Sequence, residues 1–167
     1  MSLSPGTAAL ADCLPDLTTT QRLAGLTDAV EVCRDVWGIP HIRAASAHDL
    51  FVAQGFVTAQ DRLWHMDADR HQALGRWAEW VGAIGLGKDR LLRAADMATA
   101  AQRDLVACSD ESRAMVEAYA SGVNAFLAST DRLPIEYRLL GETPEPWEDW
   151  HSVAVYKIRN SLLGTFE

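Results

Sequence analysis

Gly55-Phe-Val-Thr-Ala-Gln-Asp-Arg-Leu-Trp-His-Met-Asp-Ala-Asp-Arg70 is the run that decides the fold. Working outward from it, Val52, Phe56, Ala59, Leu63, Met66, Ala73, Trp77 and Trp80 recur at spacings of three, four or seven, which places them on one helical face. Ser46 stands where an N-cap belongs, with Asp49 three residues on, so the spacing predicts a helix over 47–81. Phe51, Val57, Trp64 and Leu74 fall off the stripe. The helix is therefore apolar on more than one side and is expected to be enclosed, by more protein than 167 residues supply.

The polar residues of the same run resemble a ligand cluster and resolve into something plainer. Residues two apart on a helix project roughly 200° from one another, whereas residues four apart are neighbours. His65 with Asp69, and Asp67 with His71, form two opposed pairs. No metal site is predicted from them. His41, His48 and His151 have no nucleophile spaced to use them and read as hydrogen-bonded structural histidines.

On the N-terminal side, residues 29–34 alternate as a strand does, Trp37-Gly-Ile-Pro40 supplies turn residues and residues 41–44 return extended, which predicts a hairpin shaped by Asp35 and Gly38. On the C-terminal side, helices are expected at 89–107, from a Ser109 or Asp110 cap through Phe126, at 135–140 up to Gly141, and from Trp150 to about Leu163 behind an Asp149 cap. The fold class is thus mainly α with a short β-hairpin near the N-terminus. Residues 1–28 read as an irregular segment and residues 29–167 as one helical domain.

A net charge of −8 and a pI near 5.0 exclude the basic stripe that a nucleic-acid surface needs. The N-terminus lacks a basic, apolar export signal and no segment suits a bilayer span, so a cytoplasmic location is expected. Cys13, Cys33 and Cys108 lack Cys-x-x-Cys spacing, which argues against a disulfide framework or a zinc ribbon. Gly82-Ala-Ile-Gly-Leu-Gly-Lys88 satisfies part of a phosphate-cradling loop. However, Asp89 stands where a magnesium-binding Ser or Thr belongs, and the loop follows a helix, so a flexible glycine connection is the reading. There is no Gly-x-Ser-x-Gly elbow.

Four blocks now carry a resemblance: Arg34-Asp-x-x-Gly-Ile-Pro-His-Ile42, Gly55-Phe-Val-x-Ala-Gln-Asp-Arg-Leu-Trp-x-Met-Asp67, Gly75-Arg-x-Ala-Glu79 and Ala118-Tyr-x-x-Gly-Val-Asn-Ala-Phe126. In this order they resemble the α-subunit of the penicillin acylase family. The runs Leu133-Pro-x-Glu-Tyr-x-Leu-Leu-Gly141 and Pro144-Glu-Pro-Trp-Glu-x-Trp-His-Ser152 are most similar to cytoplasmic cephalosporin acylases. His65 and His71 depart from the family's usual Gln and Arg, which affects local pairings only.

The resemblance implies an N-terminal-nucleophile hydrolase, with this chain wrapping an αββα core supplied mostly by a separate β-chain cut from the same precursor. The serine that begins the β-chain would attack an amide carbonyl, its own α-amino group acting as base. No catalytic residue is then expected in this chain, which would contribute packing and part of the acyl pocket through Ser161, Leu163 and Phe166. No cofactor is required. A structural calcium is admitted by the family, with Glu167 as the candidate residue. The substrate is an N-acyl amide, with a dicarboxylic acyl group favoured and Arg159 or Lys157 as conceivable contacts for it. An acyl-homoserine lactone acylase of the same family, a self-contained helical binding module and a nucleotide-binding protein are the alternative readings.

Overall fold

The computed structural model describes residues 12–164, with side chains described as far as residue 160. The last-helix residues Ser161 and Leu163 therefore have a described backbone only, and Phe166 and Glu167 lie outside the described residues.

The hairpin forms as expected. Strand β1 (Glu31–Arg34) pairs antiparallel with β2 (Pro40–Arg43), matching Val32 to Ile42 and Arg34 to Pro40. Asp35 makes the turn: one carboxylate oxygen accepts the backbone N–H groups of Trp37 and Ile39, each at 2.9 Å, while Gly38 adopts φ +77°. Pro40, which has no N–H to donate, sits at the first position of its strand.

Helix α1 runs Ala47–Ala73 behind the expected Ser46 cap, whose hydroxyl oxygen accepts the Asp49 N–H at 3.1 Å. The cap is also an anchor. The buried Asp49 carboxylate accepts the N–H of Thr27 at 2.8 Å and its hydroxyl at 2.6 Å, tying down the segment ahead of the hairpin. Those hydrogen bonds, the Thr27 hydroxyl foremost, hold Asp49 down to about 2.

The expected continuation of α1 to Val81 is corrected. Leu74 caps the helix and Gly75 turns out of it at φ +62°; a short α2 (Ala78–Val81), a 3-10 turn (Gly82–Gly85) and α3 (Leu86–Ala94) follow. Asp89 stabilises this elbow, one oxygen accepting the Trp77 N–H at 3.0 Å and the other the Ala78 N–H at 2.7 Å. The glycine run is consequently folded rather than a flexible connection, with Lys88 already helical and donating to the Gln72 side chain at 2.6 Å. A loop whose lysine and carboxylate are spent in this way is not arranged as a phosphate cradle. The helix expected over 89–107 is likewise two, α3 and α4 (Met97–Ala107), parted at Asp96, whose φ is +49°.

Helices α5 (Asp110–Ser129), α6 (Ile135–Leu140) and α7 (Asp149–Gly164) stand where the sequence placed them, α5 behind Ser109 and α6 stopped by left-handed Gly141. The centre of the fold is the crossing of α1 and α5, and two glycines permit it. A Cβ added at Gly122 would lie 1.9 Å from the Val52 carbonyl oxygen, and one at Gly55 would lie 2.0 Å from that of Tyr119. Both glycines belong to the blocks quoted above. Around the crossing Phe56, Leu63, Met66, Val123, Phe126 and Trp147 form one core, and Ala73, Leu92, Ala101, Ala154 and Ile158 a second between α1, α3, α4 and α7. Phe56 and Phe126 meet edge to face with centroids 5.5 Å apart.

From Val52 to Ala73 the expected stripe is buried, and so is Val57 off the stripe. Much of the enclosure of α1 therefore comes from this chain itself. Trp77 and Trp80 lie beyond the helix end and are half-buried. Most of the large apolar side chains left to solvent sit elsewhere, among them Leu14 ahead of the hairpin, Val36, Trp37 and Ile39 on the hairpin, Ile84 and Leu91 on the elbow, Val106 on α4 and Tyr156 on α7. Among the described residues no helix is long and apolar enough to cross a membrane.

Candidate functional site

The C-terminal half of α1 carries a polar lattice buried against α6 and the strap Pro144–Trp147. Arg70, almost wholly buried, donates to the Asp67 carboxylate at 2.6 Å and 2.9 Å, and Tyr137 donates its hydroxyl to the other Asp67 oxygen at 2.7 Å. The expected i,i+4 pair is present, His71 Nδ1 lying 3.1 Å from the Asp67 carboxylate, although the same nitrogen is nearer the Asp67 carbonyl at 2.9 Å. Burial alone would raise the Asp67 pKa. The His71 hydrogen bond, the Arg70 charge and the Tyr137 hydroxyl together outweigh it and hold the carboxyl below its ordinary value. The same burial, followed by the Asp67 charge, pushes the Tyr137 phenol far up, so that it stays a donor. Trp80 covers the lattice, stacked between His71 at 3.7 Å and Trp64 at 4.4 Å.

This lattice fixes the strap that launches α7. Arg70 donates to the carbonyls of Pro146 at 2.8 Å and Glu145 at 3.3 Å, with its guanidinium 5.2 Å from the Trp147 ring centroid. Asn124 clamps the main chain of Trp147 from both sides, its amide donating to the carbonyl and its oxygen accepting the N–H, each at 2.8 Å. Arg76 holds the Glu145 carboxylate at 2.7 Å and Glu79 at 2.8 Å, which pulls the Glu145 pKa down. At the start of α7, His151 accepts the Glu148 N–H through Nδ1 at 2.9 Å. Burial, then the Arg70 charge, lowers its pKa to about 4, so it is a neutral acceptor in the fold.

The second expected pair, His65 with Asp69, is present at 3.5 Å and receives Arg159 from α7, whose guanidinium lies 2.5 Å from Asp69 and 2.8 Å from His65. Lys157 pairs with Asp104 of α4 at 2.5 Å. Both basic residues named as conceivable acyl-group contacts are thus engaged in docking α7 on its neighbours. His41 lies 3.3 Å from Asp35, and His48 2.8 Å from the Gly25 carbonyl. Between α1, α5 and α7 lies a groove of about 540 Å³, lined by Phe51, Met66, Met115, Tyr119, Val155 and Tyr156.

Among the described residues, no buried side-chain nitrogen or oxygen lacks a hydrogen-bond partner and no group of three or more His, Cys, Asp or Glu could hold a metal. The arrangement is saturated with its own hydrogen bonds. What it can do is hold α7 at a fixed register on α1, α4 and α5, which is where Ser161 and Leu163 occur along the backbone. Sequence reasoning missed Arg70, Asn124 and Tyr137 as lattice members. Beyond the bond from Arg70 to Asp67, their partners lie 23 to 76 residues away, and only their presence in the quoted runs marked them.

The penicillin amidase family model matches residues 29–166. The chain is 50% identical over 157 residues to the penicillin acylase 2 proenzyme of Pseudomonas sp. strain SE83, covering 94% of this chain and 20% of that protein. It is 37% identical over 150 residues to the acyl-homoserine lactone acylase QuiP of Pseudomonas fluorescens strain Pf-5, covering 89% of this chain and 18% of that protein. Among solved structures, it is similar to a thermostable penicillin G acylase from Alcaligenes faecalis, at a TM-score of 0.69 and 33% identity, over 77% of this chain and 70% of that one. The chain spans about a fifth of the length of the curated relatives it matches.

Proposed function

This chain belongs to the penicillin amidase family, and from that premise we propose that it is the α-subunit region of a two-chain amide hydrolase. The observation that carries the reading is the 50% identity to a proenzyme over nearly all of this chain but one fifth of that protein. In this reading the catalytic serine opens a second chain released from the same precursor. Its hydroxyl attacks the amide carbonyl while its α-amino group takes the proton and passes it to the departing amine as the C–N bond breaks, leaving an acyl-enzyme from which water releases the carboxylic acid. The free amine exists only once the preceding peptide bond is cut, so processing is activation. The saturated lattice of α1 supports a scaffolding role for this chain, and Ser161, Leu163 and Phe166 are the residues it would offer to the acyl group. No cofactor is needed for the hydrolysis.

Expression of the complete polypeptide tests this. The expected result is two chains, a serine at the new N-terminus, and hydrolysis of a short dicarboxylic N-acyl amide such as a glutaryl amide. A single uncut polypeptide without amidase activity overturns the reading. The identity to a lactone acylase favours a second acyl class. Faster release of a long fatty acyl group from an acyl-homoserine lactone than of glutarate would select it.

A further inference from the structure

The hairpin tip groups three exposed large apolar side chains within four residues on a tightly held backbone. Val36, Trp37 and Ile39 are 94%, 84% and 54% exposed. Beneath them Asp35 accepts two N–H groups of the turn, its own N–H reaches the Ile39 carbonyl at 3.2 Å, and the Gly38 N–H returns to the Asp35 carbonyl at 2.9 Å. Arg34 then fastens the tip to α1. Its guanidinium donates to the Gly38 carbonyl at 3.0 Å, to both oxygens of Asp61 at 2.9 Å and 2.8 Å, and to Gln60 at 2.9 Å. A Cβ at Gly38 would meet nothing within 4 Å, so glycine serves the positive φ there and not a crowded neighbour.

Single exposed apolar residues are ordinary, but three on one preorganised turn are not. Rigidifying a turn before binding removes the ordering cost that association would otherwise carry. Aromatic anchors of this kind dominate the energetics of protein interfaces. The two strands behind the tip form a two-stranded sheet with an unpaired outer edge on each side, marginal alone and open to further strand pairing.

We propose that the Val36–Ile39 tip is the anchor by which this chain docks into an apolar socket on the remainder of its own polypeptide, the region that makes up about four-fifths of its relatives. This rests on the two-chain reading for the identity of the occupant. Other occupants fit less well. An anionic lipid surface would draw basic residues, whereas the tip has none and the nearby Arg34 is spent on Asp61. A second copy would need a self-complementary patch, and three side chains offer roughly 400–500 Å² a side, short of the roughly 600–800 Å² a side of a stable pair.

The test is made on the complete polypeptide, with p-benzoylphenylalanine in place of Trp37. Irradiation and peptide mapping are expected to join position 37 to sequence beyond residue 167 of the same molecule. A mixture of light and 15N-labelled protein identifies links between copies. A link to a second copy, a link within residues 1–167, or no link at all overturns the proposal. In parallel, Trp37→Ala is expected to weaken association of the two chains about tenfold or more, read from their separation on dilution. The crosslink needs no cleavage, so an uncut polypeptide that still links position 37 to the later sequence sinks the two-chain reading and keeps the anchor.

Discussion

The α1–α5 crossing and the hairpin solve opposite problems with the same means, a glycine and a network of hydrogen bonds. At the crossing, Gly55 and Gly122 bring two backbones together and the side chains around them are buried on all sides. At the hairpin, Gly38 and Asp35 shape a turn whose apolar side chains are left largely uncovered by the described residues. The first region is finished and the second is prepared. Around the crossing the chain covers its own apolar surface, whereas at the hairpin tip it leaves three large apolar side chains exposed.

Gly122→Ala is the change that breaks this contrast most sharply. The added methyl would sit 1.9 Å from the Val52 carbonyl and 2.8 Å from the Phe56 nitrogen, both main-chain atoms that no rotamer change can move. The helices must separate, forfeiting contacts along the whole crossing. A loss of about 3–5 kcal/mol is expected, a large share of an ordinary domain's stability. A cooperative melt of the complete polypeptide within about 1 kcal/mol of the parent would show that the crossing is not the keystone.

Both regions were legible in the sequence to different depths. The turn of the hairpin, the Ser46 cap and the two opposed His and Asp pairs depend on residues no more than six apart, and rules of spacing reach that far. The elbow at Gly75 was missed because the apolar stripe keeps its helical phase through Trp77 and Trp80. What ends the helix is Asp89, accepting N–H groups 11 and 12 residues back. The bonds from Tyr137 to Asp67 and from Asn124 to Trp147 have no periodic signature at all. Composition also overstated what had to be covered from outside, since Val57, off the main stripe, is buried by this chain's own elements.

His151 lies at the seam, where the strap anchored on the finished core hands over to α7. Its ring packs against Trp147 and Trp150, and the charges of Arg70 and Asp67 on α1, Glu145 in the strap and Glu148 just after it act on it. The unfolded ring titrates near 6.5 and the folded one near 4, so the unfolded chain binds the extra proton first. The contribution of this group is complete above pH 6.5, declines as pH falls and is gone below about 4, amounting to roughly 2 kcal/mol after allowance for solvent screening. Depressed carboxylates such as Asp49 and Asp67 act only at lower pH. Thermal melts from pH 7 to 4 should therefore slope downward in the parent and run flatter in His151→Asn, whose amide oxygen can still accept the Glu148 N–H. Parallel slopes would remove His151 from the account.

Arg34→Met should produce the smallest global effect and the most selective one. The Arg34 and Asp61 side chains are 18% and 24% exposed, so their two-pronged pair lies partly in solvent and is worth about 1–2 kcal/mol. Yet it is the link from the hairpin tip to α1, along with the bond to the Gly38 carbonyl. Loss of the guanidinium leaves the tip its own turn bonds and a short ladder, with Ile42 of β2 still packed on the core, and a short ladder alone does not hold a hairpin tip rigid in water. Hydrogen exchange at Trp37 and Ile39 is expected to accelerate at least about tenfold, while amides of α1 beside Gly55 keep the parent's protection. If the two regions accelerate together, the hairpin is not a separately held element and the contrast between a finished core and a prepared rim dissolves.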